Sequence, residues 1–304
     1  MPKKVMNKDL ENYLVRHEKN PIITRKDVPF PCSFVFNAGA IKYKNKYTLL
    51  LRVQDLHLTS HFALATSDNG IDFKVSPQYA FSPSHLEPNS EFGVEDPRIT
   101  CIGKEFYIPY TAFSDQGPAV GLAKTTNFKR FKRLGIILPP DDKDAVLLPE
   151  KIKDKYFLYH RPSTTKSIYI AYSRDLVHWG NHKLVLKPKA GSWDSEKVGA
   201  GAVPIKTDKG WLHIYHGVSG RSYRLGVALF DLKDPSILIR RSENYILAPE
   251  KDYEISGGVS NVVFTCGAIK EDDGEVKVYY GAADSHICLA TGRIEKLVEM
   301  AEKY

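Results

Sequence analysis

Residues 201–218 read GAVPIKTDKGWLHIYHGV: a small apolar strand, a turn carrying Lys, Asp and Gly, then an aromatic strand. The same phrase returns four times, as AGAIKYKNKYTLLLRV at 38–53, EDPRITCIGKEFYIPYTAF at 95–113, AVLLPEKIKDKYFLYHRP at 145–162 and VVFTCGAIKEDDGEVKVYYGAAD at 262–284. Two β-rich runs joined by a short polar turn make a hairpin, and a recurrence every ~50 to 60 residues is the interval of a propeller blade.

A second pair of short segments, FALATSDNGIDFKV, VGLAKTTNFKRFKRL, IYIAYSRDLVHWGNHKLVL and LGVALFDLKDPSILIRRS, follows the phrases at 38–53, 95–113, 145–162 and 201–218 in turn. Two hairpins per repeat give four strands, so the expected fold is all-β, a five-bladed β-propeller. The fifth repeat ends early in ICLATGRIEKLVEM. An open ring would leave sheet edges exposed, so NPIIT at 20–24 is expected to supply the missing outer strand. Met6, Leu10, Tyr13 and Leu14 fall on one helical face, as do Ile294, Leu297, Val298 and Ala301, predicting short N- and C-terminal helices. No linker rich in Pro, Gly or Ser divides the chain. The expectation is one catalytic domain over 1–304, with a helical arm over 1–19 and a terminal helix over 293–304.

The chain has 304 residues, 42% of them hydrophobic, and a formal charge of +7. Its lysines are scattered through turns such as KYKNK and KIKDK rather than gathered on one helix, which argues against nucleic acid and leaves room for a small anion. No run approaches the ~18 apolar residues of a membrane span, and the start lacks an apolar signal segment. The four cysteines show no CxxC spacing. They read as core residues of a reduced, cytoplasmic protein, without membrane or nucleic-acid partners and with oligomerisation left open.

In a propeller the ends of the inner strands and their loops converge on one face. The repeat alignment puts Asn37, Glu95, Asp96, Lys143, Asp144, Lys197 and Asn261 at inner-strand starts, and Arg52, Thr111, His160, Arg161, His216 and Asp284 at the ends of the second strands. Antiparallel pairing brings both sets to the same rim. Pro97 removes a backbone donor after Asp96 and biases it away from helical angles, so the carboxylate is held at a fixed place. Beside Glu95 it is expected to keep a raised pKa and donate a proton. Lys143, His160, Arg161, Lys197, His216 and Tyr223 are mostly cations or donors, a set suited to phosphate.

Other chemistries lose support. His213 and His216 are three apart on a strand and face opposite ways, while His57 and His61, placed in a loop, have no third ligand nearby; no metal is expected. GxxxxGK[ST], GxGxxG after a strand, HExxH and GxSxG are all missing from the sequence, which removes the usual marks of nucleotide binding and serine hydrolysis.

FNAGA, LLLRV, GVEDPRI, DKDAVLLPEKI, YHRP, EKVGAGAVPI, GWLHIYHGV, YRLGVALFDL, NVVFTCGA and YYGAAD are together similar to glycoside hydrolase family 130, the β-mannoside phosphorylases, from about Asn20 to Leu297. The resemblance implies a five-bladed propeller and inverting phosphorolysis of a terminal β-mannoside to α-mannose 1-phosphate, with inorganic phosphate as co-substrate and no cofactor. An inverting glycosidase needs a second carboxylate to activate water; phosphate is already an anion, so cations can take that carboxylate's place. Asp96 matches the family's catalytic acid, which passes its proton through a hydroxyl of the bound mannose. Lys143, Arg161, Lys197, His216 and Tyr223 match the phosphate region. Asn37, Arg52 and Asp284 match positions that hold the mannosyl unit, and Glu95, Asp144 and His160 are placed with them. Lys143 departs from the arginine more usual at its place, keeping the charge and losing the two-pronged geometry. The expected substrate is β-1,2-mannobiose or oligomannan. The alternatives are a β-1,4 phosphorylase, a hydrolytic β-mannosidase using Asp144, Glu150 or Asp284, and a non-catalytic glycan-binding propeller.

Overall fold

The computed structural model describes residues 13–85 and 90–302. The first described strand, β1 (Leu14–Arg16), belongs to the last sheet. Blade 1 follows as β2 (Phe34–Tyr43), β3 (Lys46–Gln54), β4 (Ser60–Ser67) and β5 (Lys74–Phe81). In blade 2 the inner strand is split into β6 (Gly93–Glu95) and β7 (Thr100–Ile102), both paired with β8 (Glu105–Ser114); β9 (Gly117–Thr125) and β10 (Lys132–Leu138) lie outside. Blade 3 is β11 (Asp142–Leu147), β12 (Tyr156–Pro162), β13 (Ile168–Ser173) and β14 (Gly180–Leu186). Blade 4 has β15 (Lys197–Ala200) and β16 (Ile205–Lys206) on β17 (Trp211–Ser219), then β18 (Ser222–Phe230) and β19 (Leu238–Arg241). The short helix α1 (Asp252–Ile255) leads to blade 5, made of β20 (Val263–Lys270), β21 (Glu275–Ala282) and β22 (His286–Arg293), and α2 (Ile294–Glu302) follows.

The hairpins form where the sequence places them. Lys44 and Asn45, and likewise Lys153 and Asp154, hold φ between 50° and 61°, the pair of positive angles that a two-residue turn needs to match strand twist. Burying the apolar faces then builds a core between each pair of neighbouring blades. Leu50 and Phe62 meet Val94 and Phe106 between blades 1 and 2, Leu122 meets Leu147 between 2 and 3, and Tyr159 meets Trp211 between 3 and 4. Ile214 and Val227 meet Val278 between 4 and 5, and Leu289 meets Val35 between 5 and 1. The ring is closed because every blade has apolar neighbours on both sides.

Closure differs in detail from the expectation. The outer strand of blade 5 is β1, with Leu14 opposite Gly292 and Arg16 opposite Ala290; of NPIIT only Ile23 adds a bridge, to Ile287. Leu14 is therefore a strand residue and not part of a helical arm, while Met6 and Leu10 lie outside the described residues. Extended backbone wins there because β22 would otherwise present an unpaired edge. The C-terminal helix forms as expected, with Ile294, Leu297, Val298 and Ala301 buried against blades 4 and 5. Cys32, Cys266 and Cys288 are buried, but Cys101 is exposed, and all four are unpaired. Among the described residues no helix is long and apolar enough to cross a membrane.

One repeated irregularity positions the site. Inner strands are interrupted at their leading ends by register shifts in β2, β11 and β20, and by outright breaks in blades 2 and 4. At three of these interruptions Asn37, Asp96 and Asp144 adopt φ of 47°, 51° and 54°. Asn and Asp are the non-glycine residues that enter this left-handed region most readily. A bulge re-aims the side chain it carries, and here all three are aimed into one channel mouth.

Candidate active site

A cavity of about 160 Å³ at that mouth is lined by Asn37, Arg52, Asp96, Lys143, Asp144, Arg161, Lys197, His216, Tyr223 and Asp284, with Val259, Val262 and Phe264 as its apolar wall. All five blades contribute. The register explains why: Phe36 lies opposite Arg52, Lys143 opposite Arg161, and Gly199 opposite His216. Gly199 is required, because a Cβ there would sit 2.4 Å from the His216 ring and 2.5 Å from Asp144 Oδ2.

Asp96 is buried, and its Oδ1 accepts from Asn37 Nδ2 at 2.9 Å and from Arg52 Nη1 at 3.0 Å. No described residue bonds its Oδ2. Arg52 also donates through Nη2 to Glu95 at 2.6 Å and through Nε to Ser60 at 2.9 Å. Arg98, fully buried below, spends its donors on the carbonyls of Asp96 (2.8 Å), Ala200 (3.0 Å) and Gly201 (3.2 Å), tying blade 2 to blade 4.

These partners correct one expectation. Burial alone would push the Asp96 carboxyl up, but Arg52, Arg98 and the Asn37 amide outweigh it and hold it below the ordinary carboxylate value. The raised acids are its neighbours. Burial lifts Glu95 against the pull of Arg52, with Asp96 adding to the rise, and burial beside Asp96 pushes Asp284 up to about 6.

The cationic side is built on blades 3 and 4. Arg161 Nε donates to Asp144 Oδ2 at 2.6 Å, and among the described residues its Nη1 and Nη2 have no partner. Lys143 Nζ likewise bonds no described residue. The Lys197 ammonium meets the Tyr223 hydroxyl; burial, with Arg161 nearby, brings Lys197 down to about 8. His216 is not a cation: burial lowers it to about 3 despite Asp144 at 3.4 Å, and its Nδ1 is buried without a partner among the described residues. Asp144 is burdened by burial but held far below the usual range by Arg161 and the other positive groups around it. Through Oδ2 it orients the Arg161 guanidinium.

Two residues of the expected set stay out of the cavity. Glu95 is taken by Arg52. His160 is buried behind the rim, with Nδ1 2.6 Å from Asp142 and Nε2 2.9 Å from His182, because its strand neighbour Arg161 takes the cavity-facing side. Glu150 pairs with Lys206 at the surface. Thr111 is buried opposite Glu95, and the Asn261 backbone accepts from the Tyr223 amide and donates to the Ile255 carbonyl. His213 and His216 do face opposite ways: His213 sits between Tyr159 and Phe230. His61 is on β4, not in a loop, and stacks on Tyr79 at 4.2 Å. Among the described residues no three His, Cys, Asp or Glu gather as metal ligands. Unread from sequence were the role of Arg98 and the wall of Val259, Val262 and Phe264. Val259 comes from the connection before the fifth repeat, which carries no repeat signal, and Val262 and Phe264 from the first residues of that repeat.

Fold and mouth together define a propeller enzyme of the carbohydrate-active kind, with three aspartates and several cations around a small cavity. The chain belongs to glycoside hydrolase family 130: the family model, described as β-1,4-mannooligosaccharide phosphorylase, matches residues 1–303. It is 41% identical over 302 residues to a β-1,2-mannobiose phosphorylase of Thermoanaerobacter sp. (strain X514), covering 93% of this chain and 98% of that one. A 1,2-β-oligomannan phosphorylase of the same organism is 40% identical over 84% of this chain and 88% of its own. The solved β-1,2-mannobiose phosphorylase from Listeria innocua, in complex with β-1,2-mannobiose, superposes with a TM-score of 0.90 at 32% identity, covering 96% and 99% of the two chains.

Proposed function

We propose that this chain catalyses inverting phosphorolysis of terminal β-mannosides, β-1,2-mannobiose or oligomannan first among them, releasing α-mannose 1-phosphate. The observation that carries the reading is the open fork of Arg161. Its Nε is fixed by Asp144 while its terminal nitrogens, beside Lys143 and Lys197, line the cavity, the arrangement that binds phosphate by paired charge-assisted bonds. Asn37, Arg52 and Asp284 hold the mannosyl ring. A phosphate oxygen attacks the anomeric carbon from the face opposite the leaving group, the glycosidic C–O bond breaks, and Asp96 returns a proton to the departing oxygen through a ring hydroxyl.

Asp96 starts ionised, so it must take up that proton as the site fills. Bound phosphate adds negative charge near the carboxyl, and sugar removes the remaining water, both of which raise a carboxyl. The β-1,2 preference rests on the relatives' activities. The four unpaired cysteines suit a reducing cytoplasm, and phosphate is the sole co-substrate the reading needs.

Incubation with β-1,2-mannobiose, with and without phosphate, tests the proposal; mannose released equally in both overturns it. A hydrolytic reading has one observation in its favour. Asp284 lines the cavity with its carboxyl at about 6, suited to a base that activates water, and the phosphate-free arm of the same assay would reveal it.

A further inference from the structure

We infer that a second cavity on the same face is a distal sugar subsite, holding the third or a later unit of an oligomannoside whose terminal unit lies over Asp96; this rests on the mannoside reading above. The cavity, about 260 Å³, opens between blades 2 and 3 and is lined by Phe92, Ser114, Asp115, Gln116 and Pro140 among others.

Its place follows from the strands. Phe92 directly precedes β6, which leads into Asp96, and Pro140 stands just before β11, which carries Lys143 and Asp144. Both walls are therefore four residues upstream of a carboxylate in the catalytic mouth. Extended chain rises ~3.3 Å per residue, which puts the cavity up to about 13 Å outward of that mouth. The second ring of a bound chain stops short of that distance, and a later ring reaches it.

Its chemistry matches a neutral, hydroxyl-rich ring. Phe92 is 52% exposed, offering an apolar face to sugar C–H groups. Ser114, Asp115 and Gln116 stand at the β8–β9 hairpin tip as donors and acceptors, and Gly117 makes that tight turn at φ 98°. Convergent polar groups beside an aromatic surface are what small-ligand sites are made of. Among the described residues the lining contains no Lys or Arg, so it is not a second phosphate site. Glu91 belongs to the wall and not to the ligand, since Tyr110 and Arg133 occupy its two oxygens at 2.7 and 2.9 Å.

The test uses β-1,2-mannobiose and β-1,2-mannotetraose, with binding measured by calorimetry in an Asp96→Asn background and turnover measured in the otherwise native chain. Phe92→Ala should weaken tetraose binding at least fivefold and lower its kcat/KM in proportion, with mannobiose unchanged within twofold. Gln116→Ala should act in the same direction. Unchanged tetraose binding, or equal losses for both sugars, overturns the subsite. A length-dependent binding loss in a chain that converts neither sugar with phosphate would leave the subsite standing and remove phosphorolysis. Failure of the native chain to bind either sugar removes both.

Discussion

Arg52 donates to Asp96 at 3.0 Å, on the same oxygen that accepts the Asn37 amide. The acid of the proposed reaction is thus tied down on one side and open on the other, with geometry set by two residues of blade 1. Asp96→Asn keeps the size of the group and loses the proton. Mannose 1-phosphate release should fall by ~10²- to 10⁴-fold, the usual contribution of a general acid, with the chain still folded and sugar binding still measurable. Unaltered turnover would remove Asp96 from the mechanism.

Much of this was legible in the sequence, for a physical reason. A propeller repeats one hydrophobic pattern, so aligning the copies also aligns strand ends, and Lys143 meets Arg161 as that alignment requires. His160 failed because the same strand points alternate residues opposite ways, and Arg161 claimed the mouth. The acidity of Asp96 failed because the neighbouring carboxylate was weighed and the opposing charges of Arg52 and Arg98 were not, and only the folded chain brings Arg52 onto its oxygen. Closure by Leu14–Arg16 rather than Asn20–Thr24 turned on three backbone pairings, and a three-residue strand leaves almost no periodic signal.

Lys197 sets the alkaline limit. Burial brings it down to about 8, so in the free enzyme its charge is lost as pH rises through that value. The kcat/KM for phosphate should fall above pH 8, while kcat at saturating phosphate, whose charge holds the proton on Lys197, should persist to higher pH. Lys197→Arg should abolish the limb, since arginine stays charged. A pH profile that is flat to 10 in the native chain would contradict this.

Asp284 trades stability for ligand binding. Its folded pKa, about 6, lies above the unfolded value of 3.8, so the folded state binds the extra proton between those values and loses stability as pH rises through the window. Above pH 6 the ionised carboxylate is held unfavourably by burial and by Asp96. Asp284→Asn should therefore raise the melting temperature at pH 7.5, leave it nearly unchanged below pH 4, and raise KM for the mannoside. Equal shifts at both pH values would point to packing instead of charge.

The ring's clasp is ionic as well as hydrogen-bonded. Arg16, on β1, reaches α1 and holds the fully buried Glu254 through Nε at 2.8 Å and Nη2 at 2.9 Å. Glu254 in turn accepts from Tyr280 at 2.8 Å and from the backbone amides of Glu250 and Lys251. Burial raises its carboxyl, but Arg16 and those bonds hold it below the ordinary value. Removing one partner of such a pair leaves an uncompensated buried charge, at a cost of ~3–5 kcal/mol. Arg16→Ala should lower stability by about that much at pH 7. The loss should shrink in acid, because this stabilisation fades as pH falls through the folded pKa of Glu254. Since α1 leads through Val259 and Val262 into the cavity wall, the variant should also raise KM for the mannoside while folded. Denaturant titration at two pH values, with kinetics well below the melting temperature, checks both, and a stability loss of equal size at pH 7 and pH 3 would refute the ionic account.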